Sequence, residues 1–96
     1  MARPRRDRRI FFQPDVTYFK PAGVPMVNLR ESSLSFDELE AIRLKDLKGL
    51  DQRKSAQKMK ISVTTFQRIL NSAHKKIADA LIFGKAIAIK REIAQH

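Results

Sequence analysis

All four prolines of this chain, Pro4, Pro14, Pro21 and Pro25, lie near its start, and no proline follows Pro25. Each ring removes a backbone N–H and pushes the residue before it toward extended geometry. Long helices are therefore restricted to the later part of the 96 residues. Before that, Val16-Thr17-Tyr18-Phe19 has strand-forming side chains, and Pro21-Ala22-Gly23-Val24-Pro25 reads as a turn. Residues 1–33 are thus expected to be an extended basic arm and loop with one short strand. Residues 34–83 read as helices, and residues 84–96, opened by Gly84, read as a tail in strand or helix form. The expected class is mostly α: a three-helix helix-turn-helix domain, an extended Arg/Pro-rich arm, and a short strand near each end.

The first helix announces its own start. Ser35 stands three residues before Glu38, the S-x-x-E capping box, with Leu34 and Leu39 placed as the accompanying hydrophobic staple. Asp37 and Glu38 add negative charge in the first turn, where the helix dipole favours it, and Gly49 supplies the stop. Helical spacing puts Phe36, Leu39, Ile42, Leu44, Leu47 and Leu50 on one broad apolar side. Glu40, Arg43 and Asp46 share that side at i,i+3 steps, which predicts a structural ion cluster in which Arg43 bridges both carboxylates.

Asp51 can cap a short second helix over residues 52–59. Lys60-Ile61 form a turn, and Ser62 caps a third helix from Val63 to about Phe83, ahead of Gly84. Two helices joined by so short a turn form the unit that places its second helix in the DNA major groove. Small Ala56 suits the helix crossing, Met59 and Ile61 flank the turn, and Phe66 and Ile69 fit the inner side of the third helix. Lys60 occupies a position where glycine is common and must take left-handed geometry or use a different turn. Ser55 stands where an aliphatic residue is usual. Along the third helix Phe66, Ile69, Leu70, Ala73, Ile77, Ala80 and Leu81 share an apolar face. The opposite face carries Thr64, Gln67, Arg68, Asn71 and Lys75, with Ser62 and Thr65 at its start. Arginine can reach guanine O6 and N7, glutamine and asparagine can pair with adenine, and threonine can touch a thymine methyl or a phosphate. A polar stripe alone is commonly a solvated surface. Its place at the front of a recognition helix gives it functional meaning.

Charge agrees with that reading. The net charge is +10, with an acidic segment from Glu31 to Asp51 set between two basic ones. Surplus lysine serves solubility, but a field of this size also attracts polyanions. Arg3, Arg5, Arg6, Arg8 and Arg9 concentrate five cations in the arm, where a narrow minor groove would accept them. The chain has no cysteine, so it has no disulfide, thiolate metal site or cysteine nucleophile. His74 and His96 lack a partner at metal-ligand spacing. We expect no enzyme activity, metal or cofactor. With no apolar run near 18 residues and no signal-like apolar stretch after the basic start, we expect no membrane association and a cytoplasmic location.

Longer blocks carry a resemblance to a known family. Arg9-Ile10-Phe11-Phe12 and Tyr18-Phe19-Lys20-Pro21-Ala22-Gly23 are similar to the opening of domain-of-unknown-function family 134. The match continues through the run from Leu34 to Leu44, Ala56-Gln57-Lys58-Met59, Thr65-Phe66-Gln67-Arg68-Ile69-Leu70 and the run from Ala73 to Leu81. The resemblance implies a helix-turn-helix like region four of bacterial sigma factors, in prokaryotic DNA-binding proteins. The family pattern has Gly-Val/Ile-Ser-Arg at the turn, whereas this chain has Lys60-Ile61-Ser62-Val63, so one expected arginine contact is missing. Lys90-Arg91-Glu92 replaces residues that are usually acidic or glycine.

The function expected from these features is sequence-specific binding of double-stranded DNA, as a transcriptional regulator. The DNA-contacting set is Ser62, Thr64, Thr65, Gln67, Arg68, Asn71 and Lys75 with the five arm arginines. The alternatives are RNA binding and docking on RNA polymerase or another protein through the same surface. A lone helix-turn-helix often reads too few base pairs by itself, so a homodimer is a further partner expectation, with the C-terminal section as its interface.

Overall fold

The computed structural model describes residues 9–92. Arg3, Arg5, Arg6, Arg8 and His96 lie outside the described residues. The chain forms strand β1 (Tyr18–Phe19), a 3-10 turn (Met26–Asn28), strand β2 (Glu31–Ser35) and helix α1 (Phe36–Ile42), which continues as a π-helical turn (Arg43–Leu47). Helices α2 (Gln52–Met59) and α3 (Val63–Phe83) and strand β3 (Ala86–Lys90) complete it. The mostly α architecture and the strand near each end follow the expectation, and the described part of the tail contains a strand, Ala86–Lys90.

The strands form one sheet in the order β1-β3-β2. Tyr18 and Phe19 pair antiparallel with Ala88 and Ile87 of β3. β2 runs parallel to β3, from Glu31 opposite Ala86 to Ser35 opposite Lys90. Parallel neighbours need a crossover connection, and here all three helices make it. Both ends of the helical section are therefore hydrogen-bonded to each other through β2 and β3. Ser32 Oγ also donates to the Lys76 carbonyl, 2.9 Å away, joining the sheet to the side of α3.

The helix starts follow their caps. Ser35 and Glu38 make the reciprocal capping box at α1. Asp51 accepts from Lys54 N–H at α2, and Ser62 from Thr65 N–H at α3. Each satisfies a backbone donor that a helix start leaves open. The core joins the three helices through Ala41, Leu44, Ala56, Met59, Phe66, Ile69 and Leu70, with Ile42, Leu50 and Ile61 packed on it. Ser55 is also fully buried. It fits there because its hydroxyl donates to the Asp51 carbonyl at 2.9 Å, leaving no polar group without a partner.

Two assignments to the core change. Leu47 is 80% exposed, because the π-helical turn, closed by Lys48 N–H on the Arg43 carbonyl, shifts the residues after Ile42 out of α-helical phase. Leu81 is 73% exposed. α3 has 21 residues against 8 in α2, so its end runs past the helices that cover its front.

Candidate nucleic-acid interface

The turn between α2 and α3 has the tight geometry the spacing demanded. Lys60 takes φ 58 and ψ 46, the left-handed conformation that glycine adopts at lower cost, and is the one non-glycine residue with positive φ among the described residues. Its N–H and that of Ile61 bond back to carbonyls of α2, Lys60 to Gln57 and Ile61 to Ala56, each at 3.1 Å. Met59 and Phe66, on the two sides of the turn, are fully buried.

Beyond the turn, α3 separates its faces as its pattern requires. Phe66, Ile69, Leu70, Ala73 and Ala80 are buried. Thr64, Gln67, Arg68, Asn71 and Lys75 are all exposed. Among the described residues these five side chains make no hydrogen bond or ion pair within the protein. Ser62 and Thr65 do: Ser62 Oγ accepts from Thr65 N–H at 3.1 Å and donates to Thr65 Oγ1 at 3.0 Å. The expected contact residues of α3 thus divide into two that build the helix start and five that extend outward from it.

The flanks of α3 are engaged. Lys76, one residue past Lys75, reaches both carboxylate oxygens of Glu38 at 2.9 Å. Ser72 Oγ donates to Glu38 Oε2 at 2.6 Å, and Ser35 N–H to Oε1 at 2.9 Å. Burial alone would raise the Glu38 carboxyl. The hydrogen bonds from Ser72, Ser35 and Lys76, with the Lys76 charge, outweigh it and hold the group below the ordinary carboxylate range. One fully buried carboxylate therefore fastens α1, β2 and α3 together and fixes the rotation of α3.

The ion cluster differs from its sequence expectation. Arg43 forms a two-point contact with Glu40, Nε to Oε1 at 2.8 Å and Nη2 to Oε2 at 2.9 Å, and this contact raises the guanidinium further. Arg43 does not bridge to Asp46. The π-helical turn carries Asp46 outward, where its carboxylate meets His74 Nε2 of α3 at 2.6 Å. Glu40, fully buried, instead takes a second donor from the N-terminal segment, Phe11 N–H at 3.2 Å. Arg43 also lies over the Phe12 ring, 5.9 Å from its centre.

These contacts place the root of the arm. Arg9 N–H donates to the Met59 carbonyl at 3.1 Å, and its guanidinium lies over Phe11. Of the five arm arginines, the one described joins the fold beside the turn that opens α3. Sequence reasoning missed both this anchor and the part Glu40 plays in it. Its donors come from segments far apart in the chain, so no local spacing signals it.

The fold is thus an α domain closed by a small mixed sheet, with a helix-turn-helix whose second helix has an unengaged polar stripe. The chain belongs to the family described as "Protein of unknown function DUF134", which matches residues 1–93. It is similar to a UPF0251 protein of Halothermothrix orenii, 55% identical over 91% of this chain and 64% of that one. One from Moorella thermoacetica is 57% identical over 94% of this chain and 60% of its own length. A third, from Thermoanaerobacter pseudethanolicus, is 56% identical over 94% of this chain and 76% of its length. The chain spans about three fifths of the length of several of these relatives. No solved structure matches it. No helix among the described residues is long and apolar enough to cross a membrane.

Proposed function

We propose that this chain binds double-stranded DNA in a sequence-dependent way, as a transcriptional regulator, with the front of α3 in the major groove. The observation that carries the reading is the stripe Thr64, Gln67, Arg68, Asn71 and Lys75, exposed and unengaged within the protein. Side chains that build a fold are bound within it, as Lys76 and Ser72 are. These five have donors and acceptors left for a partner, at the end of the helix that this motif inserts into DNA. A net charge of +10 supplies the sequence-independent part of the affinity. Arg9 joins the fold beside the turn that opens α3, and the arginines before it in the sequence would add backbone or minor-groove contacts.

Position along α3 assigns different roles within the stripe. Arg68 lies near the helix start and can bind a guanine edge at two points. Lys75, two turns on, sits where a helix leaving the groove meets phosphate. Arg68→Ala should cost about 1–3 kcal/mol on a preferred duplex and relax selectivity at one base pair. Lys75→Ala should weaken all duplexes alike and make the salt dependence shallower by about one ion. Both should melt as the parent does, since neither side chain takes part in the core. Folded variants that bind duplex like the parent would move the contact surface off α3. Stronger retention of RNA than DNA in direct competition would replace the DNA reading with an RNA one.

A further inference from the structure

The outward stripe of α3 does not end at Lys75. At the same i,i+3 and i,i+4 steps it continues through Ala78, Leu81 and Ile82. The front half is polar and basic, the rear half apolar. Leu81 and Ile82 are 73% and 74% exposed. Leu81 is joined to the sheet by a shallow cavity of about 310 Å³ whose lining includes Phe19, Ala80 and Ile87. Phe19 also borders a second, almost wholly apolar depression of about 330 Å³ with Val16 and Ile89. The rear of α3 and the β1–β3 side of the sheet therefore share one surface, apolar but for Lys20 and Lys85 in the first cavity and Asp15 in the second.

We propose that this surface is a homodimer interface, occupied by a second copy of this chain related by a two-fold axis near Ile82. Three observations favour a second copy. The first is charge: with +10 on each chain, two copies repel over most approaches. At the rear of α3, however, Asp79 and Lys85 neutralise each other at 2.7 Å, and the other cation of the cavity, Lys20, is turned onto the Pro21 and Val24 carbonyls. The second is area: the exposed parts of Phe19, Val16, Leu81 and Ile82 amount to on the order of 400 Å², in the range of a functional patch. That is about half of what each partner gives to a stable interface of standard size.

The third is spacing, and it rests on the reading of α3 as a recognition helix. Gln67 lies about 22 Å along the helix from Ile82 at the rise of an α-helix. Two helices that meet near Ile82 and diverge can set their Gln67 groups about 34 Å apart, the separation of successive major grooves on one side of a duplex.

The test needs no DNA, so its failure is separate from failure of the DNA reading. The chain should sediment at twice the monomer mass at tens of micromolar concentration, and Leu81→Glu should sediment as a folded monomer with an unchanged circular dichroism spectrum. A wild-type monomer at that concentration overturns the proposal, as does a folded Leu81→Glu that remains dimeric. Because the protein has no cysteine, disulfide trapping gives a second measurement that does not depend on how Leu81→Glu folds. Under mild oxidation Ile82→Cys should cross-link to a covalent dimer well above the level of Thr64→Cys, which lies at the far end of the stripe. Equal cross-linking of the two overturns it.

Discussion

Two buried carboxylates on α1 do work at the residue scale that their spacing does not reveal. Glu40 holds the arm root through Arg43 and Phe11, so Arg43→Ala leaves a fully buried charge with one backbone donor. We expect a loss of about 3 kcal/mol in urea unfolding, the low end for a broken buried pair because Phe11 N–H remains. An unchanged unfolding midpoint would mean that Glu40 is stabilised by something other than Arg43. Glu38 gives a pH signature. Its folded-state pKa is lowered, so the unfolded chain binds more protons between the folded value and the ordinary value of about 4.3. The stability it contributes is present above that ordinary value and is lost as pH falls through the folded one. Thermal melts of the wild type should drop across this acid window, and Glu38→Gln should show a shallower drop. Equal slopes would remove Glu38 as the group responsible. The capping box made the local role of Glu38 legible in the sequence. Its bonds to Ser72 and Lys76 were not, because those residues come from a helix brought alongside only by folding.

Among the elements, α2, the turn and α3 were legible because each rests on local chemistry: a side-chain cap, an apolar face of period 3.6, a glycine after the last turn. α1 was legible at its start and not at its end, where the π-helical turn moved Leu47 to solvent and parted Asp46 from Arg43. β2 was hidden for another reason. Its sequence Glu-Ser-Ser-Leu-Ser has little strand propensity, and its pairing with β3 is a contact between opposite ends of the helical section. The turn itself yields a prediction at this scale. Lys60 holds a left-handed φ that costs a side-chain-bearing residue about 1–2 kcal/mol, while glycine gives back about 0.5–1 kcal/mol in unfolded-state entropy. Lys60→Gly should therefore stabilise the fold by about 0.5–1 kcal/mol in chemical denaturation, with α3 unmoved. A destabilised variant would show that the lysine side chain makes a compensating interaction at the turn.

For the molecule as a whole, the parallel β2–β3 pair ties the ends of the helical section together, and the buried Glu38 and Glu40 of α1 lock that helix to α3 and to the arm root, respectively. α3 and the backbone of Arg9 are thereby tied to the same core, and groups ordered before binding avoid the cost of ordering them on binding. Recognition of duplex DNA by α3 is open to direct measurement by selection from a random duplex library. The chain should enrich a short motif at physiological salt, with affinity falling linearly on a logarithmic salt axis as phosphate contacts require. Arg68→Ala should lose preference at one position of that motif. Enrichment of no motif, with equal retention of every duplex, would contradict sequence recognition by α3. Failure to retain duplex DNA at all, even at low salt, would rule out DNA binding by this chain.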